Sequence, residues 1–102
     1  MIYARVHDTE NGMIIAMCDS SLINEILEEG DIVINIKDYA DFYKGKLVNT
    51  KEAETLLEMH VYSANIIGKE AINLAVKKGI IQKANVQKVK NVPYAQAYNV
   101  KV

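Results

Sequence analysis

The chain has few of the residues that build disulfides and metal sites. Its 102 residues include a single cysteine, Cys18, which excludes an internal disulfide, and two histidines, His7 and His60, without the spacing of metal ligands. The longest uninterrupted apolar run, residues 13–18, is far shorter than the ~18 residues that span a bilayer. We therefore expect a cytoplasmic protein with no membrane segment, no metal site and no cofactor.

The overall composition is that of a folded domain. Hydrophobic residues make up 50% of the chain and charged residues 25%, a balance typical of globular proteins and not of disordered or membrane-embedded chains. A chain of this length can build a single hydrophobic core. No repeat, linker or low-complexity segment divides it, so we expect residues 1–102 to form one domain.

Acidic residues are scarce in the last third of the chain. Residues 1–68 carry five basic and twelve acidic residues, a net charge of −7, whereas residues 69–102 carry seven lysines and one acid, Glu70, a net charge of +6. Such a polarity can steer an anionic partner to the positive part, or dock two copies of the chain through opposite charges. RNA, an RNA–protein assembly and a second copy of the chain are therefore candidate partners.

Hydrophobic periodicity predicts an α+β fold. Period-two alternation or short apolar runs indicate strands, and apolar positions three and four apart indicate helices. The predicted elements are strands at 2–7 and 13–18, a helix at 20–29, a strand at 31–36, a loop at 37–49 with room for a short helical turn, helices at 50–61 and 63–80, and strands at 86–90 and 94–102. We expect a single mixed or antiparallel sheet with helices packed on it, in the order ββαβ-loop-ααββ, with the first strand at an edge and the second in the centre.

The best-specified predicted element is the helix over residues 63–80. At about 100° per residue its apolar side chains cover an arc of roughly 200°, which is wide enough for burial on more than one side. We expect Asn65 to cap its start and Gly79 to end it in a left-handed conformation. Thr50 is expected to cap the preceding helix, which should meet this one at a tight corner.

Four short segments carry a resemblance to a known family. They are Cys18-Asp19, Phe42-Tyr43-Lys44-Gly45, Ser63-Ala64-Asn65-Ile66-Ile67-Gly68 and Val92-Pro93-Tyr94-Ala95-Gln96. In their order and spacing they are similar to an archaeal family of small uncharacterised proteins, domain of unknown function 424. The resemblance implies an archaeal cytoplasmic protein with a compact α/β-type fold and no assigned activity. Where the family pattern would have histidine this chain has Tyr94, and a phenol, unlike an imidazole, is poorly suited to acid–base catalysis near neutral pH.

The same segments hold the residues that could carry chemistry. Cys18 is expected to end a central strand, where helix amides could activate its thiol, although burial in the core is the simpler interpretation. Asp19 is either an acid or, more simply, the cap of the helix predicted to follow it. Asn65 and Gly68 open the predicted central helix and could present free amides to an anion, but close packing explains Gly68 as well.

Tyr94 and Gln96 could complete this site if their strand ends beside the predicted helix start; otherwise Gln96 satisfies a loop backbone. Tyr39, Phe42 and Tyr43 are expected to anchor their loop to the body of the protein. Convergence of Tyr43 and Gln96 with Cys18 and Asn65 in one pocket would favour a small-ligand-binding protein or an enzyme. Dispersal of these residues would return each to a role in packing.

Lysines interleaved with tyrosines make the C-terminal third a candidate nucleic-acid surface. The candidate residues are Lys77, Lys78, Lys83, Lys88, Lys90, Lys101 and Tyr98. Ammonium groups release counterions from phosphates and tyrosine rings stack on bases, but the segment lacks arginine, and surface lysines also serve solubility. The leading hypothesis is a non-enzymatic protein that binds RNA or an RNA–protein assembly, and the alternative is the ligand-binding protein or enzyme described above.

Overall fold

A mixed sheet of six strands organises the fold. The computed structural model describes residues 1–59 and 61–98, so that His60, Lys101 and the end of the predicted C-terminal strand lie outside the described residues. The elements are β1 (Ile2–Thr9), β2 (Gly12–Asp19), β3 (Ile26–Glu29), β4 (Ile32–Asn35), α1 (Ala40–Tyr43), β5 (Lys46–Val48), α2 (Thr50–Leu57), β6 (Ser63–Ile67), α3 (Lys69–Lys77), β7 (Gln87–Val89) and β8 (Val92–Tyr98), with 3-10 turns at Ser20–Leu22 and Lys83–Asn85. Across the described ranges, no helix combines the length and the apolar character needed to cross a membrane.

The strand order of the large sheet is β5-β1-β2-β6-β8-β7, and β3 and β4 pair as a separate hairpin. β2 and β6 run parallel, whereas the other neighbours are antiparallel. The predicted α+β class with a mixed sheet is therefore confirmed, and β2 is central as predicted. The expectation of a single sheet is wrong, because β3 and β4 form a second sheet of two strands. The order of elements differs from the predicted ββαβ-loop-ααββ, and β1 is not an edge strand because it pairs with both β2 and β5.

The two sides of the sheet are covered by different elements. Helices α2 and α3 pack on one side, here called the helix face, where Leu57 and Ile72 share a core with Ile66 of β6. The β3–β4 hairpin and α1 pack on part of the opposite side, here called the hairpin face, where Leu27 shares a second core with Ile67. Because side chains alternate along a strand, the neighbours Ile66 and Ile67 belong to different cores.

The helix predicted over residues 63–80 is wrong in its first part. Ser63–Ile67 forms β6 between β2 and β8, and the α-helix α3 covers only Lys69–Lys77. Side chains of β6 are buried on both faces of the sheet, so the segment satisfies a wide helical arc as well as a central strand. Asn65 consequently lies in mid-strand and is not a helix cap, and β6 replaces the predicted corner between two helices. Gly79, with φ of +76°, follows the end of α3 as predicted.

The helix predicted over residues 20–29 is also wrong. A 3-10 turn is followed by β3, which pairs with β4 in a register that places Leu27 opposite Ile34. Glu28 and Glu29 would lie at the negative end of a helix dipole, which makes helix less favourable there. In the hairpin, Leu27 is buried in the hairpin-face core while Glu28 is exposed.

The remaining elements lie close to their predicted positions. The predicted loop contains α1, as the short helical turn, and the additional strand β5. Helix α2 is capped by Asn49 and not by Thr50, because the Asn49 side chain accepts from the Glu52 amide at 2.8 Å while the Glu52 carboxylate accepts from the Asn49 amide at 3.2 Å. Strands β7 and β8 are confirmed within the described residues, and their turn falls at Lys90 and Asn91, both with positive φ.

Candidate ligand-binding groove on the sheet

The hairpin face carries a row of polar and aromatic side chains on its central strands. In the antiparallel pair of β6 and β8, Asn65 lies opposite Gln96, with Ile67 opposite Tyr94 on one side and Ser63 opposite Tyr98 on the other. The even spacing of these positions puts all of them on the same face of the sheet. The pleat therefore brings an amide pair together between two tyrosines, although 31 positions separate Asn65 from Gln96 in the sequence.

The β3–β4 hairpin and α1 cover this face only in part, and a groove of about 590 Å³, here called the sheet groove, remains beside them. Its polar and aromatic lining consists of Tyr43, Asn65, Asn85, Gln87, Tyr94, Gln96 and Tyr98. None of the described residues that line this sheet groove is charged. An adjoining depression of about 440 Å³ shares Tyr43, Asn65 and Gln96 and continues toward Tyr39 and Phe42. The sheet groove is thus an open, neutral surface of aromatic rings and amides.

Two tyrosine hydroxyls orient the glutamines of the sheet groove. The Tyr94 hydroxyl donates to Gln87 Oε1 at 2.9 Å, and the Tyr98 hydroxyl donates to Gln96 Oε1 at 2.9 Å. Both bonds use the amide oxygens as acceptors. The amide nitrogens of Gln87 and Gln96 take no part in them and can donate to a ligand. The pairs hold ring and amide in a fixed relation, which favours recognition of a ligand that has both a flat surface and hydrogen-bonding edges.

Tyr43 closes one side of the sheet groove from the end of α1. Its ring packs edge-to-face on Phe42, with centroids 5.2 Å apart, and against the hairpin-face core. Burial raises the pKa of Tyr43 above its ordinary value of about 10, and the nearby Cys18 makes a smaller contribution in the same direction. The hydroxyl therefore stays protonated near neutral pH. Tyr43 therefore anchors its segment to the body of the protein, as the sequence predicts, whereas Tyr39, which is 66% exposed, does not.

Cys18 lies in the hairpin-face core and does not line the sheet groove. Its side chain has 0% exposure, and its thiol donates to the carbonyl oxygen of Asp19 at 3.3 Å. Burial, with a smaller contribution from the negative charge of Asp19, raises the pKa of the thiol to about 12. A protonated, enclosed thiol behaves as a core residue and not as a nucleophile.

Asp19 caps a helix, but not the one that the sequence predicts. Its carboxylate accepts from the amide of Glu70 at 3.0 Å and from that of Ala71 at 2.8 Å, and so satisfies two amides in the first turn of α3. Burial raises the pKa of Asp19, although these two hydrogen bonds oppose the shift. Gly68 lies directly beneath the carboxylate, with φ of +112°, and a Cβ atom there would overlap Asp19. Gly68 therefore serves this contact and does not line the sheet groove.

The candidate lysines fall into separate groups. Lys77 of α3 forms an ion pair with Glu54 of α2 at 3.2 Å, and Lys78, directly after α3, forms one with Glu58, directly after α2, at 2.8 Å. Lys83 and Lys88 join Lys69, which the sequence analysis did not single out, around a groove of about 560 Å³ on the helix face, here called the basic groove. The backbone amide of Lys90 donates to the Glu29 carboxylate at 3.0 Å, and Tyr98 lies on the hairpin face. Lys83 and Lys88 thus lie on the opposite side of the sheet from Tyr94 and Tyr98.

Two residues of the sheet groove, Asn85 and Gln87, were missed by sequence reasoning. Gln87 lies opposite Tyr94 in the β7–β8 pair and shares its face. Counting outward from the turn at Lys90 and Asn91 gives that register, so period-two alternation across the hairpin could have located Gln87. Asn85 belongs to a 3-10 turn, for which the sequence carries no comparable signal.

The fold and the groove define a small α+β protein with a mixed sheet, one face of which is partly open and neutral. The chain belongs to the family described as "Protein of unknown function (DUF424)", which matches residues 6–100. It is also similar in fold to the crystal structure of an uncharacterized conserved protein from the archaeon Methanopyrus kandleri, with a TM-score of 0.81 and 22% identity over 99% of this chain and 93% of that one. A search of curated proteins found no match.

Proposed function

We propose that this is a non-enzymatic binding protein whose sheet groove takes an unpaired nucleobase, either in a free nucleoside or in single-stranded RNA. The observation that carries the proposal is the Asn65–Gln96 pair, set between tyrosine rings in an open groove without charged residues among its described lining. A cytoplasmic location stays a prediction from the sequence.

The tyrosines match the flat faces of a base. Tyr94 and Tyr98 extend from the same side of β8, and Tyr43 faces them from α1 across the groove. Stacking of a base on an aromatic side chain contributes about 1–3 kcal/mol per base, measured as the cost of substituting the side chain by alanine. Every base has such a face, so stacking supplies affinity without choosing a sequence.

The amides match the edges of a base. Asparagine and glutamine side chains offer both donors and acceptors, which is the mixed pattern that the edges of the bases present. A charged group placed among them would lose its hydration without gaining an opposite charge. The neutral lining therefore favours the base itself and leaves any phosphate to lie outside the sheet groove.

Binding is favoured over catalysis by the positions of the two most reactive candidates. The Cys18 thiol faces the core, and the Asp19 carboxylate is engaged by the amides of α3. The enzyme hypothesis required both beside Asn65 and Gln96, and neither lines the sheet groove. The groove retains stacking and hydrogen-bonding groups, which suit recognition.

Calorimetric titration tests this proposal with two nucleosides, adenosine and uridine, and with a mixed-sequence hexaribonucleotide. Tyr98→Ala should weaken binding at least about fivefold by the loss of one stacking face, whereas Tyr98→Phe keeps the ring and should retain most of the affinity. Gln96→Ala should weaken binding about two- to tenfold through one lost hydrogen bond. Gln82→Ala is the matched control, because Gln82 is exposed and outside the sheet groove.

The result identifies the source of the base as well. Binding of nucleosides and of the hexamer with the same dependence on Tyr98 and Gln96 supports the sheet groove as the site. Binding of nucleosides alone would make a free nucleoside the ligand. The proposal would be refuted if neither the nucleosides nor the hexamer bound. Equal effects of Gln96→Ala and Gln82→Ala on the affinity would also refute it.

A further inference from the structure

We infer that the ligand is a strand of RNA that crosses the edge strand β7, with a base in the sheet groove and its phosphates on the lysines of the basic groove. This inference rests on the proposed function of the sheet groove and adds a second, charged subsite to it. It assigns Lys69, Lys83 and Lys88 as phosphate-binding residues.

The two grooves lie on either side of one short stretch of chain. Asn85 and Gln87 line the sheet groove, whereas Lys83 and Lys88 line the basic groove. Gln87 and Lys88 are successive residues of β7, and successive residues of a strand point to opposite faces. Since β7 is the last strand of the sheet, the two grooves flank the same edge.

The basic groove is built from three separate elements. Lys69 begins α3, Lys83 begins the second 3-10 turn and Lys88 belongs to β7. All three are exposed, and among the described residues none of them forms an ion pair. The amides of Asn73 and Asn91 add neutral donors to the same groove.

The local charge distribution distinguishes these lysines from those on the far side of α3. Lys77 and Lys78 face Glu54 and Glu58, so that each positive charge is offset by a carboxylate at hydrogen-bonding distance. No acidic residue is among the described residues that line the basic groove. An anion brought to this groove therefore meets uncompensated positive charge.

A strand of RNA combines the two chemistries that these grooves offer separately. Its bases are flat and neutral, and its phosphates carry one negative charge per nucleotide on a backbone that continues from one base to the next. Lysine contacts phosphate as a point charge and reads no sequence, which is how most nucleic-acid affinity is generated. The floor of the basic groove, formed by Ile72, Val76, Val86 and Pro93, is apolar and leaves the lysines as the groups that attract the strand.

Salt dependence of binding tests this inference, with the labelled hexaribonucleotide as probe and fluorescence anisotropy as readout. Each phosphate contact contributes about −0.7 to the slope of log K against log[salt] for a single strand. Lys83→Gln with Lys88→Gln should make the slope shallower by about 1.4. The matched control, Lys77→Gln with Lys78→Gln, removes the same charge from the ion-paired positions and should leave the slope nearly unchanged.

Nucleoside binding separates this inference from the function on which it rests. Adenosine carries no phosphate, so the Lys83 and Lys88 substitutions should not change its affinity. Equal changes of slope in the two double variants would overturn the inference, because they would mean that the strand responds to the overall positive charge and not to the lysines of the basic groove. Hexamer binding that is no tighter than nucleoside binding would also overturn it. Nucleoside and hexamer affinities that do not depend on Gln96 would refute the sheet groove as the site of the base, while the change of slope would still support the phosphate-binding lysines.

Discussion

Asp19 and Gly68 form a contact whose energetic coupling can be measured. The carboxylate holds the amides of Glu70 and Ala71 and lies directly over Gly68, where a Cβ atom would overlap it. Alanine at Gly68 should therefore displace the carboxylate and remove the cap of α3 in the same step. We predict that Asp19→Ala and Gly68→Ala are strongly non-additive in their effect on the free energy of unfolding.

The magnitudes follow from the contacts that each substitution removes. Loss of a helix cap costs about 0.5–2 kcal/mol and loss of a carboxylate near the helix N-terminus about 0.3–1 kcal/mol, so Asp19→Ala should cost about 2 kcal/mol. Gly68→Ala adds backbone strain of about 1–3 kcal/mol at φ of +112° to the same lost cap, which gives about 3–5 kcal/mol. The double variant loses the cap only once. Its cost should fall short of the sum of the single variants by about 2 kcal/mol.

Denaturant unfolding, followed by circular dichroism, measures all four proteins of this cycle. The comparison is sound where the slope of free energy against denaturant concentration is the same in each. Costs that add to within about 0.5 kcal/mol would mean that the two residues act independently. That result would refute the contact between the carboxylate and Gly68, and with it the explanation of why glycine is required there.

Two further predictions concern the buried ionisable groups. Cys18 should resist alkylation by iodoacetamide at pH 8 in the native protein and react fully in denaturant, because burial excludes the reagent and raises the pKa of the thiol to about 12; rapid modification of native protein would contradict its place in the core. The raised pKa of Asp19 means that the folded state binds the proton more tightly than the unfolded state does. The free energy of unfolding of the wild type, measured relative to that of Asp19→Asn, should therefore fall as the pH rises from 3.8 through the folded-state pKa of Asp19. Denaturant titrations at several pH values measure this difference between the two proteins. A difference that stays level or grows with pH would contradict the raised pKa.

The parts of the fold that the sequence predicts well are those with strict alternation. Residues 2–7 read as a strand because polar and apolar side chains alternate there, and residues 13–18 because a short apolar run follows a tight turn. Residues 86–90 carry a weaker strand signal, since their apolar side chains are three positions apart. Ser63–Ile67 was not predicted as a strand, because polar and apolar side chains alternate only from Ser63 to Ile66, and Ile67 joins an apolar pattern that fits a helix through residue 80. Its assignment depends on pairing with β2 and β8, which lie far away in the sequence.

The candidate site was predicted in part and for a different reason. Tyr43, Asn65, Tyr94 and Gln96 line one groove, but the sequence left their convergence open and considered it only beside a helix start, not across two paired strands. The ion pairs of Lys77 and Lys78 could not be predicted either, since their partners lie 23 and 20 residues away on a neighbouring helix. The net charge of a segment therefore overstates the positive charge that a partner meets.

The side-chain amides of Asn65 and Gln96 report most directly on whether the sheet groove binds a base. In ¹⁵N-labelled protein, stepwise addition of adenosine should shift the side-chain NH₂ resonances of these two residues together, with one dissociation constant, while those of Gln82 stay in place. Unchanged resonances for Asn65 and Gln96 at saturating nucleoside, or shifts spread evenly over the amides of the protein, would contradict the assignment of this groove as the binding site.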